Sequence, residues 1–380
     1  MSQIITRTIE FKVYPNAEQA NTLDSWLGKC CWLFNRCLEQ RIKSYKRRKQ
    51  SISYNDQQAL LTQWRSRMEW LRLVPAQFAR DALRRVDRGM KGFFRRIKSG
   101  DKPGFPRFKK RERYRSLEQI QPGNFIREKA IFVPGIGEIR ARGRFGLTGR
   151  QVGIRLVRRA TGWYAQVLME LAKPEPLPET GNECGIDMGL ESFATLDSGK
   201  RIENPRLLRK ATKKLRRSQQ RLSKCEKGSN RRKKAVKRVA RLHEKVARKR
   251  RGFHHSEARA IVNRFDRIAV EKLNVKGLAA GMLAKSVNDA GWGGFLNVLH
   301  AKAEEAGRVI VEVDPSGTSQ ECPQCGSVAK KELSERTHCC KVCGFRCHRD
   351  VAAAMVIRQR AFRLVRGELI RPGVTTGLAL

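Results

Sequence analysis

The sequence predicts a multidomain α+β protein, and three observations support this. Between Ile5 and Val13 the apolar residues fall on odd positions, which is the two-residue period of a half-buried strand. Residues 14–98 carry apolar side chains at helical intervals, and residues 131–171 show short alternating patterns separated by glycine-rich turns. Prolines at alternate positions in 173–182 then predict an extended linker between two folded parts.

The N-terminal strand and the later β-rich segment are expected to form one small β-barrel or sheet. Its residues are 1–13 and 99–172, so that the helical segment 14–98 is an insertion between them. The first helix of this insertion is expected to begin after Asn16, because Gln19 gives the spacing of a capping box.

A very basic stretch follows within the second part of the chain, 183–317. Between Leu207 and Arg251, 21 of 45 residues are Lys or Arg, and a narrow apolar stripe is interrupted by KGSN. This pattern predicts an antiparallel helical hairpin over 205–251. Like charges repel along a helix, so we expect a phosphate backbone to neutralise this surface.

The overall charge points to a polyanionic partner. The chain has 81 Lys and Arg against 36 Asp and Glu, a net charge of +45. Mean hydropathy is −0.56 and no run of about 18 apolar residues occurs, so no membrane span is predicted. The N-terminus lacks the pattern of a signal peptide. We therefore expect a cytoplasmic nucleic-acid-binding protein whose thiols are free or bind metal.

Four of the eleven cysteines form two CxxC motifs, each followed by glycine. Fourteen residues separate them, a spacing that lets four thiolates bind one tetrahedral Zn²⁺. A redox pair is the alternative, and the duplicated motif argues against it. Four protein ligands leave no open position, so the zinc is expected to be structural. The predicted ligands are Cys322, Cys325, Cys340 and Cys343; His338, Cys339, Cys347 and His348 leave an exchanged ligand open, and Cys30, Cys31, Cys37, Cys184 and Cys225 are expected to pack as ordinary thiols.

Three acidic residues occupy comparable positions in apolar surroundings. Asp187 lies in the strand pattern GIDMGLESF, Glu271 ends the strand pattern IAVE, and Asp350 begins an alanine-rich helix. Carboxylates on separate elements that meet at one sheet edge can hold two Mg²⁺ ions, which promote phosphodiester hydrolysis. Each acid could instead be a helix cap or half of a salt bridge, and the pattern alone leaves both interpretations open.

Several motifs resemble those of a known family. The order GIDMGLESFATLDSG, IAVEKLNVKGL, CPQCG with CKVCG, and HRDVAAAMVI is similar to the split RuvC nuclease domain of TnpB, the transposon-encoded RNA-guided nuclease family. FKVYPNAEQ, FFRRIKSGDKPGFPRFKK and DAGWGGF extend the similarity over nearly the whole chain, except the tail from about residue 365.

The resemblance implies a particular architecture. It combines an oligonucleotide-holding, WED-like β-barrel and a helical recognition (REC-like) insert with an RNase H-like RuvC α/β core in 183–317. A zinc-ribbon loop that binds target nucleic acid would occupy 318–347. The third RuvC motif and its helix would follow in 348–364, and 365–380 would be a C-terminal tail.

The resemblance also implies the chemistry. Asp187, Glu271 and Asp350 would be the catalytic, Mg²⁺-binding trio, and the partners would be a guide RNA derived from the transposon end and double-stranded target DNA. A monomer with one RNA is the expected assembly, although the sequence leaves the oligomeric state open. One departure is Ala352, where the family often carries Asn. Because all three carboxylates are present, this departure puts the cleavage rate in doubt and leaves the site intact.

Nucleic-acid contacts are expected in two places. The helical insert of the family reads a short target-adjacent DNA motif. The loop 99–110 interleaves Phe105 and Phe108 with basic residues, a composition suited to base stacking beside phosphate contacts, although these aromatics could instead cover a core edge. The candidate residues are Tyr54, Gln77, Arg80, Arg107, Lys109 and Lys110.

Other classes of protein fit the sequence less well. A compact type V CRISPR effector shares the nuclease core and is the nearest competitor. A guided binder without cleavage would be favoured by loss of one carboxylate, and none is lost. A ribosomal or RNA-packaging zinc protein has no need of three converging acids. A His-hydrophobic-His transposase requires a histidine pair that the six histidines do not provide.

Overall fold

The chain folds into two compact units, Met1–Lys173 and Pro174–Leu380, each of which is described by itself. Most of the tail predicted at 365–380 lies outside the described residues. The computed structural model describes residues 4–330, 332, 335–362, 364–365 and 368–369.

The first unit contains a six-stranded antiparallel sheet in which the predicted N-terminal strand is central. Strand β1 (Ile4–Val13) alternates in burial, with Phe11 and Val13 inside. It pairs along its whole length with the last strand of the unit, from Ile4 opposite Ala172 to Val13 opposite Trp163. The sheet order is β2-β5-β6-β1-β4-β3, with β2 Ser116–Gln119, β3 Ala130–Val133, β4 Gly137–Arg142, β5 Arg150–Arg159 and β6 Gly162–Ala172.

Helices occupy the segment between β1 and β2. The predicted capping box is present, since Oδ1 of Asn16 accepts from the Gln19 amide and Oε1 of Gln19 accepts from the Asn16 amide. The fourth helix buries Phe78, Ala82 and Val86 in the core of the unit, and its basic residues cover the other faces. The helices are α1 Ala17–Arg48, α2 Tyr54–Arg67, α3 Glu69–Arg72 and α4 Ala76–Lys98, and one 3₁₀ turn follows at Arg111–Arg113.

The second unit contains a mixed five-stranded sheet. Three of its strands run parallel, and the other two add antiparallel at one side. This arrangement places the carboxyl-terminal ends of the parallel strands at one edge, where ligand sites form in sheets of this kind. The order is β11-β10-β7-β8-β9, with β7 Glu183–Asp187, β8 Ser192–Leu196, β9 Arg201–Glu203, β10 Arg267–Glu271 and β11 Val309–Val313.

The basic hairpin is present and is longer than predicted. The basic run ends at Arg251, but the second helix continues to Val262 because Ala258, Ile261 and Val262 are apolar and pack in the core. Leu215 is buried, whereas Val236 is 45% exposed, so the apolar seam does not extend to the tip. The helices are α5 Leu207–Ser223, α6 Asn230–Val262, α7 Val275–Leu278, α8 Ala284–Ala290, α9 Trp292–Ala306 and α10 Arg349–Phe362.

Two short hairpins complete the second unit. Strands β12 (Thr337–Cys339) and β13 (Arg346–His348) pair just before α10, and β14 (Leu364–Val365) pairs with β15 (Glu368–Leu369) after it. No helix in the described part of the chain is both long enough and apolar enough to cross a membrane.

Candidate functional site

Two of the three predicted acids lie at the ends of neighbouring parallel strands. Strands β7 and β10 pair in register with Val270 opposite Ile186, so Asp187 and Glu271 follow at the same edge of the sheet. This edge is formed by the carboxyl-terminal ends of both strands, as the sequence pattern predicts.

Helix α10 delivers the third acid because it lies directly against β7. A Cβ atom built on Gly185 would be only 2.0 Å from the carbonyl oxygen of Ala354, so any larger residue would displace the helix. An ion pair of 2.7 Å between Arg358 and the buried Asp197 ties the same helix to the turn after β8. Asp350 lies in the first turn of α10, and its charge, like that of Glu271, raises the pKa of Asp187; we call the three the carboxylate cluster.

The electrostatics of the carboxylate cluster disfavour the ionised forms of Asp187 and Glu271. The pKa of Asp187 rises to about 8, first because the side chain is buried and then because Glu271 and Asp350 are close; Arg349 partly offsets this. Glu271 is 7% exposed, and burial raises its pKa as well. Buried carboxylates that repel one another need compensating cations, so the donor set fits hard divalent ions such as Mg²⁺.

A loop after β11 holds Glu271 in place. Oγ1 of the buried Thr318 donates to Oε1 of Glu271 at 2.6 Å. Arg360, on α10, fixes this loop by pairing with Glu321 at 2.7 Å and by donating to the Ser316 carbonyl at 2.7 Å. Sequence reasoning missed these residues; the only signal for Thr318 and Glu321 is their position directly before the first CxxC motif, and Arg360 gives none.

The four predicted zinc ligands are brought together in the structure. Their sulfur atoms all lie within 4.8 Å of one another, which fits the tetrahedral thiolate set of a structural zinc. Among the described residues this is the one group of three or more potential ligands with that spacing, so the carboxylates of the cluster lie farther apart than this. The four cysteines are Cys322, Cys325, Cys340 and Cys343.

The two CxxC turns have the same backbone geometry. Gly326 and Gly344, both at a φ of 74°, donate to the carbonyls of Cys322 and Cys340 at 2.9 and 3.0 Å. The Ser327 hydroxyl and nearby backbone amides lower the pKa of the Cys340 thiol to about 5. A thiol that ionises readily is suited to bind a metal ion.

The residues predicted to contact nucleic acid differ in their accessibility. Arg80, Arg107 and Lys110 are exposed, and Arg80 lines a cavity of about 480 Å³ between α2 and α4. Tyr54 and Gln77 are half-buried. The Lys109 ammonium lies 4.2 Å from the centre of the Phe34 ring; burial and then the nearby Arg85 lower its pKa.

Ala352 has a packing role. It is 1% exposed, on the face of α10 that packs in the unit. An asparagine at this position would have to find room and polar partners inside that interface.

Sequence profiles of three families match the chain. One described as "Probable transposase" matches residues 166–281, one described as "Cas12f1-like, TNB domain" matches 292–357, and one described as "Helix-turn-helix domain" matches 1–50. The first match contains Asp187 and Glu271, and the second contains all four cysteines and Asp350.

Whole proteins are similar over nearly the entire chain. InsQ of Escherichia coli strain K12, named as an RNA-guided DNA endonuclease, is 28% identical over 97% of this chain and 95% of its own. A protein of Streptomyces pristinaespiralis with the same kind of name is 30% identical over 93% of this chain and 89% of its own. A Cas12f1 chain from a structure titled as a complex with sgRNA and target DNA shares the fold, with a TM-score of 0.59 at 13% identity, covering 93% of this chain and 99% of that chain.

The fold and these matches first define a class: a transposase-related α+β protein that carries a four-cysteine metal-binding module. Within that class the family is identified by the similarity to the Streptomyces pristinaespiralis protein, because that similarity extends over most of both chains. The chain belongs to the TnpB family.

Proposed function

We propose that this protein is a transposon-encoded, RNA-guided DNA endonuclease that cleaves DNA matched to its guide RNA beside a short target-adjacent motif. The observation that carries the proposal is that Asp187 and Glu271 end neighbouring parallel strands at one sheet edge, where burial and the charges of Glu271 and Asp350 raise the pKa of Asp187 to about 8. The names of the relatives over most of the chain support the same activity.

The carboxylate cluster is proposed as the catalytic centre. Asp187, Glu271 and Asp350 would hold Mg²⁺, and a pair of such ions supplies an activated water and compensation for charge on the attacking and leaving oxygens. Hydrolysis adds water to the phosphorus and breaks its bond to the 3′ oxygen. The 3′ oxygen takes a proton to become a hydroxyl, and the other fragment carries a 5′-phosphate. Thr318 keeps the Glu271 carboxylate oriented throughout.

The remaining parts of the chain are assigned supporting roles. The six-stranded sheet is proposed as the WED-like part and α1–α4 as the recognition insert, while the second unit is proposed as the RuvC core with its zinc ribbon. Sequence would be read by base pairing between guide and target, and the protein would hold the heteroduplex through its backbone. The net charge of +45 supplies the attraction that this requires.

One experiment tests the proposal. The chain is purified with RNA expressed from its own locus, the RNA is sequenced, and matched plasmid is incubated with Mg²⁺ or with EDTA. We expect a specific RNA and cleavage that depends on Mg²⁺ and is lost in Asp187→Ala. Absence of a specific RNA would contradict guidance, and RNA-dependent DNA binding without cleavage would indicate a guided binder.

A further inference from the structure

An exposed aromatic cavity in the first unit has no role in the proposed function. Trp32 and Trp64 line this cavity, and Trp70 packs against Trp32 outside it. The centre of the Trp32 ring is 5.0 Å from that of Trp70 and 6.4 Å from that of Trp64, both edge-to-face. Trp32 is nevertheless 40% exposed and Trp70 36% exposed. Large aromatic side chains that remain accessible in a cluster indicate a binding surface.

The cavity is about 390 Å³ in volume, within the range of roughly 300–1,000 Å³ that is typical of small-ligand sites. Phe108, which is 57% exposed, forms one wall, and Trp32 and Trp64 form the other. Arg36 and Glu39 also line the cavity; they pair with each other at 3.1 Å, and Glu39 pairs with Lys43 as well. We call this site the tryptophan pocket.

The walls of the tryptophan pocket are fixed in advance. The Asn35 side chain donates to the Lys109 carbonyl at 2.9 Å and accepts from the Lys109 amide at 2.8 Å, so the loop that carries Phe108 is fastened to α1. The Cys31 thiol adds a third contact to the same carbonyl. A rigid aromatic site loses little conformational entropy when a ligand enters.

The geometry points to one kind of occupant, and we propose that the tryptophan pocket binds an unpaired nucleobase of the guide RNA. The proposal rests on the function proposed above. A base offers the flat face that aromatic side chains stack on and an edge that Arg36 or Glu39 can bond to. The exposed cations Arg107 and Lys110 flank Phe108 in sequence and suit the attached phosphates.

RNA is favoured over DNA by how each presents its bases. A folded guide offers unpaired bases in loops and at its ends, and such bases are the usual targets of protein recognition in RNA. Bases of double-stranded target DNA are stacked and paired until the guide displaces one strand. A displaced DNA strand is therefore the competing source that the experiment must distinguish.

Matched variants of exposed phenylalanines test the tryptophan pocket. Phe108→Ala removes one wall, whereas Phe94→Ala removes an equally exposed ring, at 58% against 57%, that does not line the cavity. In the full chain we expect Phe108→Ala to weaken binding of a short oligouridine about tenfold with an unchanged salt slope. Phe94→Ala should bind as wild type does, and Trp32→Phe should retain more affinity than Trp32→Ala.

Crosslinking identifies the source of the base. Guide RNA containing 4-thiouridine, or DNA containing 4-thiothymidine in the displaced strand, is irradiated in the complete complex and the attached residues are identified by mass spectrometry. Crosslinks from RNA to Trp32, Trp64 or Phe108 support the inference. Crosslinks from DNA alone, or wild-type oligouridine affinity in both Phe108→Ala and Trp32→Ala, would overturn it. Failure of the proposed function is seen separately, as loss of Mg²⁺-dependent cleavage while oligouridine binding persists.

Discussion

Thr318 and Glu271 are joined by a buried hydrogen bond of 2.6 Å in which the Thr318 hydroxyl donates to the carboxylate. Thr318 lies four residues before Cys322, the first of the four clustered cysteines, and Glu271 ends a strand of the five-stranded sheet. The short loop between β11 and the zinc ribbon therefore orients a carboxylate of the proposed catalytic centre.

Thr318→Val is expected to reduce cleavage without unfolding the protein. Valine fills a similar volume but leaves a buried carboxylate oxygen without its donor, which costs about 1–3 kcal/mol. We expect the Mg²⁺ concentration for half-maximal cleavage to rise several-fold. Cleavage assays across a Mg²⁺ series measure this, and Thr318→Ser, which keeps the hydroxyl, should restore activity. Equal activity of the valine and serine variants would show that the hydrogen bond has no catalytic role.

Gly185→Ala is expected to disturb the site through the backbone. The new Cβ would lie 2.0 Å from the Ala354 carbonyl oxygen, so α10 must move and carry Asp350 with it. Overpacking of this kind lowers the free energy of unfolding by about 1–3 kcal/mol. We expect a large loss of cleavage and only a small decrease in melting temperature. Gly252→Ala in α6 is the control, because no atom lies within 4 Å of its added Cβ. A Gly185→Ala variant with wild-type cleavage would contradict the close packing.

Sequence patterns predicted much of this arrangement, and where they failed the cause is physical. Alternation located β1, and the CxxC spacing located the four thiols, because these signals are local. The predicted end of α6, residue 251, is too early. The prediction followed the run of basic residues, whereas the helix continues to Val262 because its last turns are apolar and pack in the core. Thr318, Arg360 and Asp197 were not found, since a hydrogen bond between residues 47 apart leaves no periodic trace. The same loop composition that suggested nucleic-acid contacts did not distinguish exposed Lys110 from half-buried Lys109.

The pH dependence of the free energy of unfolding should reveal the raised pKa of Asp187. The pKa of Asp187 is about 8 in the folded protein and about 3.9 when unfolded. Between these values only the folded state keeps the proton, so the stability of EDTA-treated protein should fall as pH rises towards 8 and level off above it. The slope is at most about 1.4 kcal/mol per pH unit for one proton. Denaturation midpoints should show that Asp187→Asn removes this component; identical pH profiles for the two proteins would contradict the raised pKa.

Zinc content should depend on the four clustered cysteines and on no neighbouring thiol. Cys340→Ser removes a sulfur that lies within 4.8 Å of the other three, whereas Cys339→Ser changes an adjacent, exposed cysteine outside the group. We expect about one zinc per chain in wild type and Cys339→Ser. Cys340→Ser should lose the metal and become sensitive to proteolysis between Cys322 and Cys343. In such small modules the free energy of metal binding stabilises the fold, so loss of the metal unfolds the module. Elemental analysis and limited proteolysis measure both effects. Zinc loss in Cys339→Ser would instead identify an exchanged ligand at the second CxxC turn.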